Sequence, residues 1–411
     1  MSKPILIGPF TQVLPMAGLP LKGALSDEQL TVIENGGILV SEGKIQKVGL
    51  FEDLKSETDS IQLIEGEQVC LPGFVDAHTH ICFGGTRAKD YAMRNARISY
   101  LEIAKAGGGI WDTVTQTRKA TQEELVEGIL QRSQKHLQNG ITTIEVKSGY
   151  GLSVEQELKM LRAIKQANEK TEADLIATCL AAHIKPKDWN GDKTYLEEMT
   201  STLFPIIKSE NLANRVDAFV EESAFSPEEI APYFQKAKEM SFDITVHADQ
   251  FTTGGSEVAV QFGAVSADHL EASTEKEIQL LAKSNVISMA LPGASIGLGC
   301  AYTPARKILD AGGALAIASD HNPGSAPMGD LLAQASILGT FEKLSNAEVL
   351  AGITFRASTA LKLTDRGALQ AGIQADFVTF PTNNYQEITY HQGQLKPNKV
   401  WKNGKQVFKK D

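Results

Sequence analysis

Two histidines separated by one residue, His78 and His80, close the apolar stretch Gly73-Phe-Val-Asp-Ala77. On a strand, side chains two apart share a face, so both imidazoles point the same way. Two neutral imidazoles side by side can hold one divalent cation. A bare His-x-His is a weak signal, because histidines also fill cores and surfaces. Three more histidines, His183, His247 and His269, stand at or just after the C-terminal ends of apolar runs, and Asp320 closes another. His78, His80, His247 and Asp320 offer three imidazoles and one carboxylate, with positions left for water and substrate. That is the donor set of a catalytic rather than a closed structural site. A divalent ion there lowers the pKa of bound water towards neutrality. Asp320 can then act as ligand and proton acceptor, and His269 can orient the water or stabilise charge on a substrate oxygen.

Competing readings accompany these residues. His269 could be a buried structural imidazole. Cys82 shares a face with His80 only if the strand continues, and Gly84-Gly85 soon break it. His136, in a helical pattern, and His391, near the C-terminus, read as solvent-facing. His321 adjoins Asp320 and faces the other way, so no role is assigned to it.

The elements that must position the site follow from the pattern of the middle of the chain. After the His78 strand come seven apolar runs of strand length: 141–146, 175–182, 216–220, 244–246, 264–267, 286–291 and 314–318. Near-continuous apolar runs suit strands covered on both faces, as in a parallel sheet. Capping signatures start the helices between them: Thr121 with Glu124, Ser153 with Gln156, Ser226-Pro227 with Glu229, Thr303-Pro304, and Ser345 with Glu348. Val154, Leu158, Leu161 and Ile164 form a stripe for core packing. Eight strands alternating with helices predict an α/β fold, a (β/α)₈ TIM-like barrel whose C-terminal strand ends share one face. A doubly wound sheet is the alternative, but Gly107-Gly-Gly109 matches no phosphate loop. Both ends of the chain have a different, β-rich texture, with Asn403-Gly404 as a hairpin signal. The expected division is therefore a small β-sandwich domain from residues 1–70 plus 366–411, and a barrel over 71–365.

Composition is that of an ordinary globular chain: 411 residues, 42% hydrophobic and 22% charged. A net charge of −10 argues against a nucleic-acid partner. The four cysteines are scattered without a Cys-x-x-Cys pair, which fits a reducing compartment. Met1 to Phe10 lacks the pattern of a signal peptide and no run is long enough to cross a bilayer, so a cytoplasmic location is expected.

The His-x-His on the first strand, the histidines on the fifth and sixth and the Asp on the eighth resemble the amidohydrolase superfamily. Within it the chain is similar to the imidazolonepropionase family over most of its length. The motifs are His80-Ile-Cys-Phe-Gly-Gly-Thr-Arg87, Ala106-Gly-Gly-Gly-Ile110, Val146-Lys-Ser-Gly-Tyr-Gly151, Leu180-Ala-Ala-His183, His247-Ala-Asp-Gln-Phe251, Ala267-Asp-His-Leu270 and Asp320-His-Asn-Pro-Gly-Ser325. The resemblance implies hydrolysis of the cyclic amide of 4-imidazolone-5-propanoate to N-formimino-L-glutamate, a step of histidine degradation. It implies one divalent metal per chain, zinc or iron, on His78, His80, His247 and Asp320. The fourth strand, Val216-Asp-Ala-Phe-Val220, lacks the bridging lysine of binuclear relatives. The family's substrate contacts fall on Arg87, Tyr150, His183, Gln250, Asn322, Gly324 and Ser325, with Tyr100 a further candidate. A small-molecule substrate and a possible homodimer complete the expectation.

Gln250 stands where some relatives have Glu, and an amide cannot shuttle a proton. That weighs against the nearest rival, an aromatic-heterocycle deaminase on the same barrel. A dihydropyrimidinase-like cyclic amidase is weakened by the missing fourth-strand lysine. A catalytically silent relative would be expected to have lost metal ligands, and all four candidates are present.

Overall fold

The computed structural model describes residues 3–98, 102 and 106–410. Its first five strands are β1 (Ile5–Val13), β2 (Ile33–Ser41), β3 (Lys44–Leu50), β4 (Ile61–Leu63) and β5 (Val69–Pro72). Eight follow in the middle: β6 (Phe74–Asp76), β7 (Ile141–Lys147), β8 (Asp174–Ala182), β9 (Arg215–Val220), β10 (Asp243–Ala248), β11 (Ser266–His269), β12 (Ile287–Ala290) and β13 (Leu315–Ile317). The last are β14 (Phe377–Phe380), β15 (Lys399–Lys402) and β16 (Lys405–Lys409).

β6 to β13 pair in chain order and all parallel. The ends of that row meet through a parallel bridge between Thr79 and His321. His80 N–H donates to His321 O (2.9 Å) and Asp320 N–H to His78 O (3.0 Å). The result is a nearly closed eight-stranded barrel. Its strands are buried because helices cover the outside and side chains fill the inside. β6 ends at Asp76, earlier than the apolar run suggests, and the two histidines sit on the extended segment beyond it.

Most of the helix starts are capped by the side chains named above. Thr121, Ser226 and Ser345 each form a reciprocal box with the Glu three residues on, while Ser153 accepts from Gln156 N–H without a return bond. Thr303 departs from the pattern. Its hydroxyl donates to His269 O, and the helix Ala305–Asp310 starts without a side-chain cap.

The remaining strands form one sheet from both chain ends, in the order β16-β15-β14-β5-β1-β2-β3, with β4 also against β1. It is mostly antiparallel, but β4 and β5 run parallel to β1. β1 serves both by switching partner along its length: Leu6 faces Ile61, whereas Val13 faces Cys70. The switch lies at Gly8-Pro9, where the β1–β2 register shifts. A Cβ at Gly8 would meet the Phe51 ring at 2.8 Å, at a φ of +150°, so the bend requires glycine. Asn403 and Gly404, with φ of 50° and 73°, turn β15 into β16 as the hairpin signal predicts. Phe10, Phe377 and Trp401 fill the sheet's own core, and Lys402, held within the sheet by Asp376 (2.8 Å), ties it to the barrel through Asp174 of β8 (2.9 Å). No helix among the described residues is long and apolar enough to cross a membrane.

Candidate metal centre and substrate cavity

Alternation on the segment after β6 turns His78 and His80 inward, and both are buried. β10 delivers His247 near its end, and Asp320 follows β13 at the closing seam. Their donor atoms converge. His78 Nε2 lies 3.2 Å from His80 Nε2, which lies 3.4 Å from His247 Nε2. Asp320 Oδ1 lies 3.3 Å from His80 Nε2 and 3.6 Å from His78 Nε2. Ligands about 2.0–2.1 Å from a tetrahedral ion are spaced about 3.3 Å apart, and these four separations are close to that spacing; His78, His80 and Asp320 form one candidate ligand group and His78, His247 and His269 another. Asp320 Oδ1 is buried without a hydrogen-bond partner. A buried carboxylate oxygen facing ring nitrogens without a hydrogen bond is a costly arrangement unless a cation sits between them. The donor set fits a divalent metal.

Carboxylates behind the histidines fix which nitrogen faces inward. His78 Nδ1 meets Asp268 Oδ2 at 2.7 Å, and His247 Nδ1 meets Asp217 Oδ2 at 2.9 Å. Such partners orient ligating imidazoles and raise their basicity. Burial is the main cause that pushes the imidazoles below their ordinary range, His78 well below, His80 to about 3 and His247 to about 4. They are therefore neutral near pH 7, the form that ligates. Burial also raises Asp268 to about 7 and lifts Asp320. For Asp217 burial acts upward too, but His247 and Lys147 beside it hold its carboxyl well below the usual range.

His269 differs from the other three. It lies within ligand distance of His78 and His247, yet its pKa is raised. Burial works to lower it, and Glu271, 3.4 Å from Nδ1, with Asp320 and Asp268 outweighs that. His269 is thus more basic than its neighbours. Its φ of 87° and the 52° of Asp320 place both in left-handed backbone that non-glycine residues rarely adopt, a strain concentrated at functional sites.

A cavity of about 730 Å³ opens above these groups. Arg87, Tyr150, His183, Gln250, Asn322, Gly324 and Ser325 all line it. Tyr150 sits in the loop Ser148-Gly-Tyr-Gly151, which the buried carboxylate of Glu157 gathers by accepting from Gly149, Gly151 and Leu152 N–H. Any Cβ at Gly149 would approach Leu180 O to 2.9 Å at a φ of +104°. His183 Nδ1 meets Gly149 O at 3.0 Å, which leaves Nε2 as its other polar atom. Asn322 organises its turn by accepting from Gly324 and Ser325 N–H, each at 2.8 Å. Arg87 Nε is taken by Asp90, leaving the terminal nitrogens, beside Gly324, for a ligand.

One expectation needs correction. His136 is buried: its Nε2 meets His321 Nδ1 at 2.9 Å and its Nδ1 lies 3.5 Å from Asp76. His321 is its partner at the seam, outside the donor cluster. Cys82 is buried with its thiol 3.9 Å from Met160 O and belongs to no candidate ligand group. Tyr100 lies outside the described residues. The residues passed over are Asp217, Asp268, Glu145, Lys147, Glu157 and Arg94, whose guanidinium donates to Gly324 O (3.1 Å). The available signal was a charge inside an otherwise apolar strand run, as in Val216-Asp-Ala-Phe-Val220.

Comparison with known proteins adds an independent line. A model of the amidohydrolase family matches residues 69–407. A protein of Bacillus cereus strain AH187 named imidazolonepropionase is 40% identical over 379 residues, covering 91% of this chain and 89% of its own. One of Bacillus cytotoxicus with the same name is 39% identical over 384 residues, covering 92% and 90%. Among solved structures, Aspergillus niger ochratoxinase superposes with a TM-score of 0.72 at 17% identity, covering 99% of this chain and 96% of that one. A mutant atrazine chlorohydrolase of Arthrobacter aurescens, complexed with zinc and atraton, gives 0.71 at 16% identity, covering 98% and 95%. At those identities the likeness is one of fold.

Proposed function

This chain belongs to the amidohydrolase family, and from that premise we propose that it opens the ring of 4-imidazolone-5-propanoate to N-formimino-L-glutamate. At the coarser level it is a hydrolase of carbon–nitrogen bonds in cyclic amides. The observation that carries the reading is the convergence of His78, His80, His247 and Asp320 beneath a cavity lined by Arg87 and the Asn322 turn. A divalent ion, zinc or iron, held by those four residues supplies Lewis acidity and a water of near-neutral pKa.

The chain's own groups do the rest. Asp320 accepts a proton from the attacking water and passes it to the departing ring nitrogen. The bond between carbonyl carbon and ring nitrogen breaks, the carbon keeps the water oxygen as a carboxylate, the departing nitrogen gains one water proton, and the second goes to the released formamidine group, which becomes cationic. His269 donates to the carbonyl oxygen as charge develops there. The terminal nitrogens of Arg87 and the N–H-rich Asn322–Ser325 turn hold the propanoate. Tyr150, His183 and Gln250 bind the ring edges. Gln250 supports hydrolysis over deamination, because its amide cannot protonate a leaving amine.

The test is loss of imidazolone absorbance when freshly generated substrate meets zinc- or iron-loaded protein, with a chelated sample alongside. Metal-dependent loss with N-formimino-L-glutamate as product is expected. No turnover by protein carrying one metal per chain would overturn the substrate while leaving the metal centre.

A further inference from the structure

Beneath the donor cluster, the barrel interior holds the carboxylates of Glu145, Asp217 and Asp268, each nearly or fully buried. One ammonium lies among them. Lys147, at the end of β7, is fully buried, with Nζ 2.8 Å from Glu145 Oε1 and 2.8 Å from Asp217 Oδ2. Glu145 shares its face of β7, two residues back. The other oxygen of Glu145 accepts from Thr79 N–H (3.2 Å), the residue between the two ligand histidines. Lys147 is thus anchored on one side and meets on the other the same Asp217 oxygen that faces His247 Nδ1 at 2.9 Å.

We infer that Lys147 is a positioning residue of the metal centre: anchored by Glu145, it holds Asp217 in the orientation that turns His247 Nε2 towards the ion. The geometry excludes a ligand role for Lys147, since its nitrogen is engaged with carboxylates on the far side of the histidines from the cavity. An unpaired buried ammonium would be expensive, so a lysine kept here must match its partners closely. An Asp217 side chain freed of it could rotate away from His247 Nδ1 and leave that imidazole without its support. Lysine reaches Asp217 by a single nitrogen, a contact that an apolar replacement of similar length cannot make.

The inference rests on the metal centre described above and is read from metal affinity rather than turnover. Zinc affinity is measured by chelator competition on full-length protein for the wild type, Lys147→Met, Asp217→Asn and the double variant. Visible absorption of the cobalt-loaded forms reports the ligand field, and circular dichroism the fold. Each single variant is expected to bind zinc about ten- to hundredfold more weakly, the usual cost of losing a partner behind a metal ligand. The double variant should match Asp217→Asn within about twofold, because residues acting in one line are not additive. Wild-type zinc affinity in Lys147→Met, or losses that add in the double variant, would overturn the inference. Should Lys147→Met fail to fold, Asp217→Asn against the double variant decides alone. Equal affinity supports the inference; further loss, or failure of only the double variant to fold, overturns it. Wild-type protein that takes up no zinc would remove the metal centre and this inference together.

Discussion

Two groups of histidines lie within one barrel and come to different ends, His321 alone among them being only partly buried. At the mouth, His78, His80 and His247 direct ring nitrogens at one another and at an oxygen of Asp320 that has no hydrogen bond. At the seam, His136 and His321 stack with centroids 5.1 Å apart and share one contact, Nε2 to Nδ1 at 2.9 Å, while His136 Nδ1 has no hydrogen-bond partner. The carboxylate beside them, Asp76, already accepts from the Ser319 N–H and hydroxyl. Burial lowers the basicity of both groups, His136 to about 4 and His321 to about 3. Burial and a low pKa therefore do not make a site. Several donor atoms aimed at one point do.

The sharpest way to break that contrast is Asp320→Asn, which removes the carboxylate and should lower turnover by about a thousandfold, within the range for a proton-transferring side chain. A rate within tenfold of wild type in the absorbance assay would take Asp320 out of the chemistry. Next, chelation should abolish activity and added zinc or iron restore it, with metal returning to one per chain. His136→Gln should leave that stoichiometry unchanged, and metal loss in this variant would erase the distinction between the groups. Arg87→Ala should raise KM about ten- to hundredfold with a smaller change in kcat, matching the loss of charge-assisted hydrogen bonds. An unchanged KM would move the carboxylate elsewhere. His136→Gln should also cost about 1–3 kcal/mol in chemical denaturation, as His321 loses its partner.

The last effect is in pH dependence. A folded-state pKa below the unfolded value near 6.5 means stability is present above 6.5 and lost as pH falls through the folded value, because only the unfolded state takes up the proton. Between pH 6.5 and about 4, His136 contributes a slope of about 1.4 kcal/mol per pH unit. Removing it by His136→Gln should flatten the stability curve of the metal-loaded protein over that window. Parallel curves would mean that His136 is protonated in the fold.

The site ligands were legible because each follows an apolar run, and a parallel barrel brings the ends of such runs to one rim. The charges behind them were not. Asp217 and Lys147 fall inside or at the end of runs that read as strand, and which face a lone charge occupies depends on closure of the ring. His136 was misjudged although a signal existed: Ile129, Ser133, His136 and Leu137 share the buried stripe of the helix Gln122–Gln138. The barrel itself was visible from alternation alone. The parallel pairings of β1 were not, since its partners β4 and β5 are chosen by a bend at Gly8-Pro9 rather than by local preference.

The seam has a consequence for how the molecule comes into being. Thr79 closes against His321, and Leu71 pairs with Val378, so both the ring and the terminal sheet join the first quarter of the chain to the last. Contacts of such long sequence separation form slowly, because loop-closure entropy is lost before any pairing rewards it. A chain emerging from the ribosome carries His78 and His80 long before Asp320 exists, with β6 presenting an unpaired edge in the meantime. The candidate ligand set is therefore completed late in the birth of this protein, by the same closure that brings Thr79 to His321.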